Sequence, residues 1–61
     1  MLDIEYEYLN KNLQTFLSKY KKKTIVIVGD KVVGVYNTFN EAYSKSIKEY
    51  KPGSFLIETF Q

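Results

Sequence analysis

The sequence predicts a single α+β domain over residues 1–61, in the order α-β-β-α-β, with a three-stranded sheet packed with two helices. Three observations lead there. Apolar residues recur at spacings of three and four over residues 3–20 and again over 39–50, the period of one helix face. Two β-branched runs, Thr24–Val28 and Val32–Tyr36, are separated only by Gly29-Asp30-Lys31. A third apolar run, "SFLIETF" at 54–60, follows a Pro-Gly stop.

The first helix is expected over residues 3–20. Leu2, Tyr6, Leu9, Leu13, Phe16, Leu17 and Tyr20 form its apolar stripe, and Asp3 is placed to cap it. Asp3, Glu5 and Glu7 stand at its start and Lys19 and Lys21 to Lys23 at its end. Both groups complement the helix dipole. Tyr8 falls off the stripe, so it is the tyrosine expected to reach outward.

The next two runs form a hairpin. Gly29 and Gly34 have the spacing of a phosphate-binding loop, but Val35 and Tyr36 stand where that loop needs a lysine and a hydroxyl. The stretch is also too short for strand, loop and helix. The turn reading therefore holds, and Gly34 inside a strand marks a bulge or a close approach of another backbone. The second helix opens with Thr38 and has Glu41 three residues on, a capping box. Phe39, Ala42, Tyr43, Ile47 and Tyr50 are expected on its core stripe. Pro52-Gly53 ends it, since proline cannot continue a helix.

The crossover helix makes the second and third strands parallel. Strand orders 1-2-3 and 2-1-3 both allow this, and the uniformly apolar "TIVIV" favours 2-1-3. The strands are apolar on both faces: Ile25 and Ile27 lie opposite Val26 and Val28, and Phe55 and Ile57 opposite Leu56 and Phe60. Either the helices cover opposite faces, or they share one face and a second subunit covers the other. A chain of 61 residues has few ways to stabilise itself without disulfides, a metal or self-association. Homo-oligomerisation is expected on both grounds, with Tyr8, Val26, Val28 and Phe60 as candidate interface residues.

Composition narrows the chemistry. There is no cysteine and no histidine, which removes disulfides, the commonest general base and the usual zinc ligands. Asp3, Glu5 and Glu7 are read as dipole partners and Asp30 as a turn residue. No enzyme, metal or cofactor is expected. No stretch is long and apolar enough for a membrane span, and the acidic "MLDIEYEYL" is unlike a signal peptide, so a cytoplasmic location is expected. The formal charge is +2, and all nine bases are lysines. Four of them surround Tyr20 in "SKYKKKT". Lys19, Tyr20, Lys21, Lys22 and Lys23 thus form a candidate patch for a partner or a nucleic-acid backbone, set against a plain solvated helix end.

"KVVGVYNTFNEAY" and "GSFLIETF" carry a resemblance. Tyr20, Lys23, Lys31 to Gly34, Tyr36, Thr38, Glu41 to Tyr43, Gly53 and Phe55 to Ile57 match the pattern of a family of small bacterial proteins of unknown function. The pattern spans about two-thirds of the chain, and the first 19 residues match it only as a helix. Members of that family are often encoded beside a retropepsin-like aspartic protease. The resemblance implies a partner of that kind and carries over no catalytic residue. The function expected from the sequence is a non-enzymatic interaction or accessory module that self-associates through a sheet face or edge. Weak nucleic-acid binding through Lys19 to Lys23 is the alternative.

Overall fold

Apolar periodicity and cap chemistry together build the described residues into three helices and one sheet. The computed structural model describes residues 2–61. Helices α1 (Asp3–Lys11) and α2 (Leu13–Lys19) are followed by strands β1 (Thr24–Val28) and β2 (Lys31–Tyr36). Helix α3 (Phe39–Glu49) and strand β3 (Leu56–Thr59) complete the domain. The α-β-β-α-β order holds, with the first helix divided in two.

The division falls at Asn12. Its side-chain amide donates to the Tyr8 carbonyl at 2.9 Å, and its backbone amide is shared between the Tyr8 and Leu9 carbonyls. An asparagine that bonds to nearby backbone competes with regular helix. The chain resumes at once, as the Phe16 amide bonds back to the Asn12 carbonyl at 2.9 Å. The Asp3 cap is corrected: Leu2 occupies the cap position with no side-chain bond, and Asp3 is the first helical residue.

The sheet order is β2-β1-β3, all antiparallel to neighbours, so the most apolar strand is central. Thr24 to Ile27 are buried along its length. Pairing runs Val26 with Gly34 and then Ile27 with Val32, leaving Val33 unmatched. That is the bulge expected at Gly34. What comes close there is a side chain, not a backbone: a methyl group on Gly34 would lie 2.6 Å from Tyr36 Cε2. The aromatic ring lies over the glycine on the edge strand.

Two packed layers flank the sheet. Leu9 and Phe16 from α1 and α2 join Ile25, Ile27, Leu56 and Phe60 in one buried cluster. Val26 points to the opposite face and is 1% exposed, outside that cluster. Helix α3 lies against all three strands and buries Ala42 and Ser46. The helices therefore cover opposite faces, the first of the two arrangements the sequence left open. The apolar pattern of the central strand is satisfied on both sides within one chain, while Val33 and Val35 on β2 stay exposed.

The Thr38 half of the α3 cap forms as read, its hydroxyl accepting from the Glu41 amide at 3.2 Å; the Glu41 half is shifted by one residue, Oε1 accepting from the Asn37 amide at 3.3 Å and not from Thr38. Its stripe differs. Ala42 and Ser46 meet the sheet, whereas Phe39, Tyr43 and Ile47 are exposed. Small residues four apart, Ala42 and Ser46, are the ones buried where this helix meets the sheet. Larger neighbours on the stripe are then turned to one flank. Among the described residues, no helix is long and apolar enough to cross a membrane.

Candidate interaction surface

The lysine cluster forms where α2 ends. Lys19 is its last residue, and the chain reverses through Lys21, Lys22 and Lys23, with Lys22 in the left-handed region at φ 60°. All four lysines are exposed. Lys23 is partly engaged: its ammonium donates to Asn37 Oδ1, its amide bonds to the Tyr20 carbonyl, and its carbonyl receives the Phe60 amide. Tyr20 is half-buried against the core. Lys19 Nζ lies 5.4 Å from its ring centroid, and the Phe16 ring lies 5.5 Å away at 56°. The positive charge of the patch is thus open to solvent, while its one aromatic ring is occupied within the chain.

The four interface candidates are placed inside the fold or at its margin. Val26 is 1% exposed beneath α3, and Phe60 is 5% exposed in the main cluster. Val28 is half-buried. Tyr8 does not point outward: it packs on the core, and its ring meets that of Phe16 edge-on at 5.6 Å. Turning inward at Tyr8 and Glu5 rotates the buried face of α1 away from Tyr6, which is 52% exposed, and Ile4, which is 61% exposed.

Glu5 is the residue the sequence placed least well. It was read with Asp3 and Glu7 as an exposed dipole partner, but it is buried and accepts the Gly29 amide at 2.7 Å. Nothing local signals this contact, because the hairpin turn it satisfies is 24 residues away. Beside it, Ile4, Glu7, Tyr8, Lys11, Asn12 and Asp30 line an open depression of about 510 Å³. Its carboxylates and lysine are exposed and of both signs, so it concentrates no single charge. Among the described residues, no group of three or more Asp or Glu is placed to hold a metal ion.

The remaining feature is apolar. Phe39, Tyr43 and Ile47 lie at intervals of four on α3, and each is more than two-fifths exposed. The rings of Phe39 and Tyr43 stack at 6.0 Å and 9°. On a helical projection this flank is bordered by Asn40 and Ser44, both uncharged, while Glu41, Lys45, Lys48 and Glu49 fall on the other side. Val33 and Val35 add exposed apolar surface on edge strand β2. Sequence reasoning assigned the α3 stripe to the core. That assignment holds for Ala42; the missed signal was Ser46 four residues on, which with Ala42 makes the small pair that meets the sheet.

Comparison with protein-family models, with curated proteins and with solved structures finds no match.

Proposed function

We propose that this chain is a small cytoplasmic interaction module that acts by protein contact rather than by catalysis, and that it self-associates. The observation that carries this reading is the uncharged apolar flank of α3, where Phe39, Tyr43 and Ile47 remain open while the central strand is buried on both sides. Interface cores are depleted in charge and enriched in aromatic residues, the composition of this flank. The depression at α1 supports the reading by contrast: it holds neither a buried base nor a one-signed field on which a substrate could be oriented. The lysine cluster supports nucleic-acid binding less well, because Lys19 and Phe16 occupy the Tyr20 ring that would stack a base.

The test is sedimentation velocity over ~5 to ~500 µM, where a weak assembly shifts with concentration by mass action. A mass rising above 7.2 kDa supports self-association. A single 7.2 kDa species throughout removes it. A mass change only on adding nucleic acid, lost at moderate salt, would move the function to the lysine patch.

A further inference from the structure

We infer that α3 pairs antiparallel with α3 of a second copy, about a two-fold axis passing beside Tyr43. The inference rests on the self-association reading and assigns it a surface and a geometry.

The first argument is self-complementarity. A two-fold contact must match a surface to itself. Phe39, Tyr43 and Ile47 are equally spaced, so antiparallel pairing centred on Tyr43 sets each Phe39 against the partner copy's Ile47. A planar ring meets a branched aliphatic side chain twice, and the tyrosines meet at the axis. The helix dipoles oppose, which favours the antiparallel sense.

Charge is the second argument. Two copies of a chain with formal charge +2 repel one another unless they meet on a neutral surface. The α3 flank is such a surface, because Asn40 and Ser44 border it and the helix's four charged residues lie on its far side. A strongly acidic or basic partner would find nothing here to pair with.

Area is the third. The chain exposes 4499 Å². A monomer of 7.2 kDa is expected to expose about 4,100 Å². Phe39, Tyr43 and Ile47 leave open on the order of 300 Å² of this surface. Doubled and extended by the rim, the contact stays below the roughly 1,200 Å² of stable specific interfaces. A contact of that size belongs to the weak, transient class.

The absence of cysteine makes single-cysteine cross-linking clean. A disulfide needs its two Cα atoms within about 7 Å, so a residue cross-links to its own copy only near the two-fold axis. The variants Tyr43→Cys, Phe39→Cys, Ile47→Cys, Val33→Cys and Leu17→Cys are oxidised at ~100 µM after circular dichroism confirms that each is folded. Tyr43→Cys is expected to form dimers. Phe39→Cys and Ile47→Cys are expected to cross-link when mixed more than either does alone. Tyr43→Arg, in a wild-type background, is expected to weaken association at least ~10-fold. Preferential cross-linking at Val33→Cys or Leu17→Cys, with wild type still dimeric by sedimentation, would overturn the helix pairing and leave self-association standing. A monomeric wild type with no cross-link at any position would overturn both.

Discussion

Glu5 Oε2 accepts the backbone amide of Gly29 at 2.7 Å, joining the first turn of α1 to the tip of the β1–β2 hairpin. The carboxylate is buried, and the amide belongs to a turn that no other part of the chain reaches by a side-chain bond among those of the described residues. A charge-assisted bond of this kind contributes about 1.5–3 kcal/mol, and removing the acceptor strands the donor. Glu5→Ala is expected to lose that amount in urea denaturation, with faster hydrogen exchange at Gly29. Glu5→Gln retains an acceptor oxygen and should recover at least half of the loss. Equal losses in the two variants would show that the bond contributes nothing beyond packing.

Gly29 also carries a backbone constraint of its own. It sits at φ 66°, where a side chain is disfavoured, yet a methyl group built on it meets nothing within 4 Å. The cost of Gly29→Ala is then purely conformational, about 1–2 kcal/mol. Gly29→Asn should cost less, since asparagine tolerates the left-handed region. If Ala and Asn are equally destabilising, contact and not backbone preference governs the turn.

What was legible in the sequence was local. The Thr38–Glu41 cap, the Gly29-Asp30 turn and the central place of "TIVIV" each follow from residues within a few positions of one another. The bulge at Gly34 was readable for the same reason. What failed depended on distance or on which helix face turns inward. The partner of Glu5 lies across the fold, so its carboxylate looked like a surface charge. Tyr8 looked outward because a straight helix was assumed, and Asn12 interrupts it. On α3 Ala42 was placed rightly, but Phe39, Tyr43 and Ile47 were drawn in with it, while the sheet selected Ala42 and Ser46. The candidate interface shifted with that error, from Val26 and Phe60 inside the fold to Phe39, Tyr43 and Ile47 outside it.

Lys22 presents the reverse of the Gly29 case, a side chain held at φ 60° where glycine would serve better. It is exposed, so little is lost with the side chain. Lys22→Gly is expected to stabilise the fold by about 0.5–1 kcal/mol, the relief of left-handed strain less the added freedom of the unfolded chain. Thermal denaturation reads this directly. A decrease in stability would mean that the Lys22 side chain contributes a contact that outweighs its backbone strain.

The two sides of α3 should respond oppositely to substitution. Ala42 is fully buried where the helix meets the sheet, so Ala42→Leu forces added volume into the closest contact. Overpacking of that kind costs about 1–3 kcal/mol. Tyr43 is the next residue and is 46% exposed. Tyr43→Arg should change the stability of the dilute monomer by no more than about 0.5 kcal/mol, as expected for a surface position. Part of that small change is loss of the stack with Phe39, a neighbour pair worth a few tenths of a kcal/mol. The comparison must be made well below the association range, because any dimer adds stability that depends on concentration. Should Tyr43→Arg prove as damaging as Ala42→Leu in the monomer, the apolar flank would be a support of the fold and not a surface held open for another chain.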